Sequence, residues 1–211
     1  GQARPESFRR MLQEALRDQP DCLVVVKVHP DVIRGRARGH FGRLDLQHPR
    51  IRICADGLHP AALLEQAQAV YVVTSQMGFE ALLWGRNVHC FGMPFYAGWG
   101  LTRDRLLAPV RRGQSMPLEA LVHAALVAGT RCVDPHRHQP CSIETLMDAI
   151  GLQRRLQGAN PQRVVAFGFT PWKQRSLKRF LAGSALRFRL PQALPGPRAE
   201  AVAVWGRRGR S

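Results

Sequence analysis

The chain is poor in acidic residues and has no long apolar run. Fifteen Asp and Glu residues stand against 31 Lys and Arg residues, which gives a formal net charge of +16 over 211 residues. No apolar stretch approaches the roughly 20 residues that a membrane-spanning helix needs, and the first residues lack the pattern of a secretory signal peptide. We therefore expect a folded, cytoplasmic chain whose surface attracts anionic partners.

Cysteines are few, and their spacing does not indicate a disulfide framework. Five scattered cysteines are typical of reduced thiols in the cytoplasm. Four residues of zinc-binding types nevertheless fall close together: Cys132, His136, His138 and Cys141. No Cys-x-x-Cys pair accompanies them, and the prolines among them favour a turn linking two helices, so we expect no metal ion here.

Lysine is nearly absent, since the sequence contains only Lys27, Lys173 and Lys178, and arginine supplies the remaining positive charge. Arginines on solvated helix faces are the simplest explanation of this bias. Acidic polymers, anionic lipid headgroups and nucleic acid are the alternative partners of a basic surface. Nucleic acid is the least favoured, because the sequence has no helix-turn-helix, zinc-finger or aromatic RNA-binding motif.

Strand and helix patterns alternate over the first hundred residues. Short β-branched apolar runs predict strands, and segments of helical periodicity predict helices. The predicted strands are 23–28, 51–54, 70–73 and 87–91, and the predicted helices are 5–17, 60–67 and 77–84. This alternation predicts an α/β fold with a Rossmann-like parallel sheet and right-handed crossovers.

The pattern changes after residue 104. Two helices are predicted first, then a linker rich in Gly, Asn and Pro, and then a new strand and helix alternation. The predicted elements are helices 118–128 and 143–156, linker 157–162, strand 164–169, helix 174–181 and strands 186–190 and 201–204. We therefore divide the chain into an α/β domain (1–104), a helical extension (105–157), and a linker with the first strands of a second α/β domain (158–211).

The segment 70–104 combines a strand, a hydroxyl pair and a helix start. It reads VYVVTSQMGFEALLWGRNVHCFGMPFYAGWGLTRD, with Thr74 and Ser75 between the strand and the helix. Backbone N–H groups at a helix start attract phosphate, although a hydroxyl there can equally cap the helix. The loop that follows carries Phe95, Tyr96 and Trp99. We interpret these aromatics as anchors of the loop in preference to sugar-stacking groups.

A histidine follows the first predicted strand. The sequence KVHPDV places His29 at the end of that strand, with Pro30 directly after it. Ligands of open α/β sheets collect beyond the carboxyl ends of the strands, so we expect His29, Thr74 and Ser75 to line one edge. A histidine that only terminates the strand is the alternative interpretation.

These motifs resemble a known family. KVHPDV, the following Arg34-Gly35-Arg36 and Gly39, and TSQMGFEALLWG…FGMPFYAGWGLTRD are similar to the capsular polysaccharide Kdo-transferase and export proteins of the KpsC (LipA) type. RCVDP at 131–135 is similar to the same family. FTPWK at 169–173 and VAVWG at 202–206 resemble the opening of the second of two tandem modules in that family. The resemblance extends in weaker form over most of the chain.

The resemblance implies a retaining glycosyltransferase with two Rossmann-like domains, the GT-B type. Such an enzyme moves Kdo from CMP-β-Kdo onto a growing poly-Kdo linker on lyso-phosphatidylglycerol, at the cytoplasmic face of the inner membrane. The partners it implies are this donor, the lipid-linked acceptor, the anionic membrane surface and other capsule assembly and export proteins. No cofactor is implied beyond the donor substrate. Residues 1–104 would then be the donor-binding domain.

The resemblance also implies roles for individual residues. His29 with Pro30 would contact the CMP phosphate, Ser75 supported by Thr74 would contact it through a hydroxyl, and Glu80 would accept the ribose hydroxyls. The full donor-binding set that it implies is Lys27, His29, Pro30, Thr74, Ser75, Gln76, Gly78 and Glu80.

No catalytic nucleophile is assigned. Retention requires a nucleophile or shielding group near the anomeric carbon, and no carboxylate here stands in a convincing acidic pair. The carboxylates considered are Asp31, Asp45, Asp56, Glu80 and Asp104. In the resembled family an aspartate-bearing motif precedes the segment equivalent to residues 1–16, so we expect the nucleophile upstream of Gly1 and the fragment alone to be inactive. The alternative is a non-catalytic basic module that binds acidic polymer, lipid or nucleic acid.

Overall fold

A computed structural model describes residues 4–28, 30–34, 36, 38–42, 44–54, 60–190 and 201–206. Packing separates two compact units, Gly1–Ala128 and Gly129–Ser211. Residues 105–128 thus pack with the first unit. The predicted ranges 1–104, 105–157 and 158–211 stay predictions as functional modules, because packing alone does not assign an activity to a segment.

The first unit contains five strands, with helices between most of them, in the described residues. The helices are α1 (Pro5–Asp18), α2 (Pro30–Ile33), α3 (Pro60–Gln66), α4 (Met77–Leu83) and α5 (Leu118–Val122), and α5 continues into a π-helix (His123–Ala128). The strands are β1 (Val24–Lys27), β2 (Ile51–Cys54), β3 (Ala69–Val72), β4 (Asn87–Cys90) and β5 (Arg103–Asp104). This order confirms the predicted α/β class.

All strand pairs among the described residues of the first unit are parallel. β1 pairs with β2, and β4 lies between β3 and β5, with Val72 opposite Cys90. The two ladders are separate sheets in the described part of the chain. The β3–β4–β5 ladder is the better buried, because its β-branched and apolar side chains meet those of α3, α4 and α5. The core cluster is Leu64, Val72, Phe79, Ala81, Leu82, Val88, Cys90, Tyr96, Ala97 and Leu121.

Helix α1 is held to the rest of the first unit by two arginines. Its Leu12 and Ala15 are buried, and the Glu14 carboxylate between them accepts a hydrogen bond from Arg105 at 2.6 Å. Arg50, just before β2, donates to the carbonyl oxygens of Leu16 and Gln19, both at 2.6 Å. These carbonyls at the end of α1 have no partner within the helix, so Arg50 ends α1 and joins it to β2.

The Glu14 ion pair predicts an acid-sensitive contribution to stability. Burial alone raises the pKa of Glu14, but hydrogen bonds from Arg105 and Arg10 outweigh it and hold this pKa below its ordinary value of 4.5. Because the folded pKa is depressed, the stabilisation is complete above the unfolded pKa and is lost as the pH falls through the folded pKa.

We therefore expect Glu14→Gln to lower the free energy of unfolding at pH 7 by about 1.5–3 kcal/mol, since it removes the carboxylate that accepts charge-assisted hydrogen bonds from Arg105 and Arg10. The difference between variant and wild type should shrink towards pH 3. Urea unfolding at both pH values measures this, with the exposed Glu65→Gln as the matched control. A difference of equal size at both pH values would contradict the ion-pair explanation.

The second unit is a small parallel sheet preceded by a hairpin-like ribbon. The ribbon pairs β6 (Cys132–Val133) with β7 (Pro140–Cys141) in antiparallel fashion. Helix α6 (Ile143–Ala159) follows, capped by the Ser142 hydroxyl, which accepts the Thr145 N–H. The sheet then contains β8 (Arg163–Phe167), β9 (Ala185–Arg189) and β10 (Ala201–Val204), with α7 (Pro171–Phe180) between β8 and β9.

Two sequence predictions about this unit need correction. The turn around the Cys and His cluster contains strands, because Cys132 pairs opposite Cys141. The predicted linker at 157–162 begins inside α6, which runs to Ala159, since Gly158 fits a helix whose surroundings are open.

Among the helices of the described residues, none combines the length and the apolar character that a membrane-spanning helix requires.

Candidate functional site

The hydroxyl pair of the first unit lies between β3 and α4. Thr74, Ser75 and Gln76 are exposed there. The Ser75 hydroxyl accepts the N–H of Met77 at 3.2 Å, while Gln76 makes no side-chain capping bond. Ser75 therefore caps the start of α4 in this structure, as the alternative interpretation predicts.

The Ser75 backbone is fixed from the opposite side by a buried tyrosine. Tyr96 is fully buried, and its hydroxyl donates to the Ser75 carbonyl oxygen. Burial raises the pKa of the Tyr96 phenol, so the group stays protonated and remains a donor. The same carbonyl accepts the Gly78 N–H at 3.1 Å. The loop after β4 thus holds the start of α4 in one position.

Gly78 is required by this tyrosine. A Cβ atom at residue 78 would lie 2.7 Å from the Tyr96 Cζ atom, closer than real Cβ contacts. Gly92, just after β4, is required for a similar reason, because a Cβ atom there would lie 2.6 Å from the Val73 carbonyl oxygen. The glycines of this segment therefore allow the aromatic loop to approach the strand and helix closely.

Side chains from residues 99–112 hold the rest of the loop in place through hydrogen bonds. Trp99 Nε1 donates to the Phe95 carbonyl oxygen at 2.8 Å. Arg112 donates to the Pro94 carbonyl at 2.6 Å, and Asp104 accepts the Gly98 N–H at 2.8 Å. The predicted structural role of the aromatics is confirmed for Tyr96, while Phe95 keeps 42% of its surface exposed.

Sequence patterns gave no sign of two long-range arginine contacts in the first unit. Arg112 reaches back 18 residues to Pro94, and Arg105 reaches 91 residues to Glu14. Arg105 also lies over the Phe91 ring at 5.4 Å. Isolated arginines in a chain this rich in arginine carry no local signal, so only the structure identifies Arg112 as a partner of the loop and Arg105 as a partner of α1.

The other predicted donor-binding residues lie in different places. His29 is outside the described residues, and Pro30 is the first residue of α2. Lys27 is the half-buried last residue of β1, and Glu80 is half-buried in α4. Lys27 ends a strand of one ladder and Thr74 follows a strand of the other. A common donor site for all these residues stays a prediction.

Two of the carboxylates considered as nucleophiles have structural partners. Asp104 accepts the Thr102 hydroxyl at 2.7 Å in addition to the Gly98 N–H. Asp45 accepts the Gly42 N–H at 2.7 Å. Asp56 lies outside the described residues. The geometry therefore gives Asp45 and Asp104 roles in holding turns.

Ser75→Ala separates the capping role from a phosphate-binding role. If Ser75 binds phosphate, the variant should weaken CMP binding about tenfold or more, because it removes a hydrogen bond to a charged group. Loss of the cap alone should cost about 1 kcal/mol of folding stability. Titration with CMP and thermal unfolding of both proteins measure the two effects. A larger free-energy loss in folding than in CMP binding would show that Ser75 acts only as a cap.

Comparison with known proteins identifies the family of this chain. Residues 2–131 match the family of capsule polysaccharide biosynthesis proteins. The chain belongs to this family. It is 35% identical to the capsule polysaccharide modification protein LipA of Neisseria meningitidis serogroup B over 185 residues, which is 85% of this chain and 26% of LipA. It is also 37% identical to the lipopolysaccharide-processing protein LpsZ of Rhizobium meliloti, over 65% of this chain and 31% of LpsZ.

Solved structures agree with the family. The β-Kdo 2,4 transferase of Thermosulfurimonas dismutans KpsC is 40% identical, with a TM-score of 0.65 over 70% of this chain and 46% of that chain. The β-Kdo 2,7 transferase of the same KpsC is 31% identical, with a TM-score of 0.56 over 69% of this chain and 46% of that chain. These matches confirm the predicted KpsC/LipA relationship and the Rossmann-like, GT-B type of fold. The chain spans 26% of the length of LipA.

Proposed function

We propose that this chain is the donor-binding part of a retaining β-Kdo glycosyltransferase of capsule polysaccharide biosynthesis. The observation that carries the proposal is the similarity to the KpsC β-Kdo 2,4 transferase, at 40% identity over 70% of this chain. The match of residues 2–131 to the capsule biosynthesis family supports it. The family match includes segment 70–104, whose strand, helix and anchored loop belong to the buried core of the first unit.

The donor proposed is CMP-β-Kdo, with no further cofactor. When the bond between the anomeric carbon and CMP breaks, the phosphate leaves with the electron pair and gains negative charge. Groups that already point at that charge lower the barrier, because they need no rearrangement as it develops. His29, Lys27 and the Ser75 hydroxyl are the groups proposed to hold this phosphate, with Glu80 at the ribose.

The nucleophile is proposed to lie in another part of the enzyme. Retention needs a group that attacks or shields the anomeric carbon. Asp45 and Asp104 already hold turns of the first unit, which argues against either in that role. This chain by itself should therefore bind the donor without transferring Kdo.

The proposed acceptor is a poly-Kdo linker on lyso-phosphatidylglycerol at the inner membrane, with capsule assembly and export proteins as further partners. The net charge of +16 favours an acidic saccharide and an anionic lipid surface over a neutral one. The protein would then act in the cytoplasm as a peripheral enzyme of this membrane.

A basic module without catalytic activity is the second candidate. The observation that favours it is the stretch 149–199, which contains ten Lys and Arg residues and no Asp or Glu. Such a module would bind acidic polymer, lipid or nucleic acid by charge, and salt would weaken all three kinds of binding.

Titration of this chain with CMP distinguishes the donor-binding proposal from the basic module. A transferase fragment should bind CMP at a saturable site that tolerates moderate salt. Binding that never saturates, or that disappears when salt is raised, would contradict the donor-binding proposal and favour the basic module.

A further inference from the structure

The ribbon of the second unit sets two cysteines opposite each other. Cys132 in β6 pairs with Cys141 in β7 in antiparallel register. Residues directly opposite in such a ribbon carry their side chains on the same face, so the two thiols are neighbours. Both are free, with Cys132 buried and Cys141 half-buried. None of the other described strand pairs places one cysteine opposite another.

The backbone spacing of the pair suits a disulfide. Hydrogen-bonded and non-hydrogen-bonded pairs alternate along an antiparallel ribbon. Asp134 donates its N–H to the Gln139 carbonyl oxygen at 2.9 Å, and Pro140, one residue further on, has no N–H to donate. Cys132 and Cys141 therefore form the next hydrogen-bonded pair, whose Cα atoms lie about 5.5 Å apart. Disulfides most often join Cα atoms about 5.5–6 Å apart.

The turn of the ribbon holds this register. The Asp134 carboxylate accepts the N–H groups of His136 and Arg137 at 2.8 and 3.1 Å, and the Asp134 carbonyl oxygen accepts the His138 N–H at 2.9 Å. Closing a disulfide draws the two Cβ atoms together by about 1 Å, because opposite residues hold them about 4.5–5.5 Å apart and a disulfide about 3.5–4.5 Å. Each strand of the ribbon has only two residues, so a movement of this size disturbs few other contacts.

The surroundings of the pair favour thiol chemistry over metal binding. Structural zinc sites have four protein ligands, and the part of the chain that the structure describes has no group of three or more His, Cys, Asp or Glu placed to hold a metal ion. Burial, the neighbouring Cys132 thiol and the Asp134 carboxylate raise the pKa of the Cys141 thiol. This thiol is therefore mostly protonated at neutral pH, and the pair stays reduced in a reducing compartment.

We propose that Cys132 and Cys141 form a reversible thiol–disulfide pair, which a low-molecular-weight disulfide such as glutathione disulfide oxidises. The thiolate of the more exposed Cys141 bonds to one sulfur of the small disulfide, whose S–S bond breaks and releases one small thiolate. The Cys132 thiolate then attacks the Cys141 sulfur and releases the second small thiolate. The protein thus loses two electrons and two protons, and the small disulfide is reduced to two thiols.

The new bond closes residues 132–141 into a covalent ring. Ser142, which caps α6, follows this ring directly. Oxidation therefore limits the opening of the ribbon immediately before α6. This chemistry involves the ribbon only, so it is independent of the donor binding proposed for the first unit.

Peptide mapping of the whole chain tests the pair. The chain is equilibrated in glutathione buffers of increasing disulfide content at about pH 8, where more thiolate is present, and free thiols are then trapped with iodoacetamide. Trypsin cleaves after Arg131, Arg137 and Arg154, so the two cysteines fall on separate peptides, 132–137 and 138–154. Mass spectrometry should find these peptides joined in oxidising buffers and separated after reduction.

Hydrogen exchange measures the effect on the ribbon. The Asp134 N–H, which donates to the Gln139 carbonyl oxygen, should exchange about tenfold more slowly in the oxidised chain, because a cross-linked ribbon opens less often. Exchange at the same rate in the oxidised and reduced chains would contradict the expected restriction of the ribbon.

A titration in urea separates the folded register from nearness in sequence. A short flexible loop by itself gives the two thiols an effective concentration in the millimolar range. The paired strands should raise this value, so half-oxidation of the folded chain should need about tenfold less glutathione disulfide than half-oxidation of the unfolded chain.

Matched variants identify the two sulfurs. Cys132→Ser should abolish the joined peptides and leave Cys141 able to form only a mixed disulfide with glutathione. Cys141→Ser, at the more exposed position, should abolish them as well, and it repeats the test if Cys132→Ser does not fold. Cys54→Ser removes another half-buried thiol, which faces Lys27 in the first unit, and should leave the titration unchanged.

Three results would overturn the inference. The first is the same half-oxidation point in buffer and in urea, since the fold would then do nothing to bring the sulfurs together. The second is a mixed glutathione disulfide on Cys141 without any joined peptides. The third is Cys141 linked to Cys22 or Cys54 as often as to Cys132, which would indicate unselective oxidation.

Discussion

Replacing His29 with alanine is expected to abolish Kdo transfer by the protein that contains this chain, without changing its fold. The proposed role of His29 is to stabilise the departing CMP phosphate, and removal of one such group typically lowers the rate about 100- to 1000-fold. Transfer from CMP-Kdo to a Kdo-primed lipid acceptor measures the effect, and circular dichroism of both proteins verifies the fold.

The control for this variant is His123→Ala, which removes an exposed histidine from the same unit. It should transfer Kdo at the rate of the wild type. Equal transfer rates for His29→Ala and the wild type would refute the role assigned to His29 and would leave KVHPDV as a strand-ending motif.

Gly78→Ala is expected to lower the free energy of unfolding by about 2–4 kcal/mol. The new methyl group meets the ring of the fully buried Tyr96, and overpacking of this kind typically costs about 1–3 kcal/mol. Movement of Tyr96 away from the clash would also break the hydrogen bond to the Ser75 carbonyl, worth about 1 kcal/mol. Denaturant unfolding measures the sum.

Two comparisons make the Gly78 prediction specific. Gly158→Ala places the same methyl group in open space within α6, so it should be neutral or stabilise the helix by up to about 1 kcal/mol. The double variant Gly78→Ala with Tyr96→Ala should cost less than the sum of the two single changes, because the clash is then absent. Stability of Gly78→Ala within 0.5 kcal/mol of the wild type, roughly the effect of a neutral surface change, would contradict the packing described.

Local patterns predicted the regular elements well where hydrophobic periodicity was strong. β2 and β10 have the predicted bounds, 51–54 and 201–204. Helix α7 begins at Pro171, three residues before the predicted start, because proline fits the first turn of a helix. The π-helix after α5 and the two-residue strands β6 and β7 had no such signal, because segments this short are too brief to show a hydrophobic period of their own.

The local structure of segment 70–104 was predicted from the sequence, while the donor-binding roles of its residues stay predictions. The sequence indicated that 70–104 would form a strand, a helix start and an anchored aromatic loop, and Tyr96 confirms the anchor. The family resemblance implied a donor-binding role for Gly78, and the structure shows in addition that the Tyr96 ring leaves no room for a side chain there. A residue pattern cannot distinguish these roles, because a ligand and a buried ring both require a missing Cβ at the same position.

The measurement that tests the central claim most directly is an NMR titration of this chain with CMP, repeated for His29→Ala and at low and high salt. Donor binding predicts saturable shifts in the first unit that the variant removes and that high salt reduces only slightly. Weak binding that collapses with salt and is the same in His29→Ala would contradict the claim, because screening by salt abolishes general attraction between exposed charges.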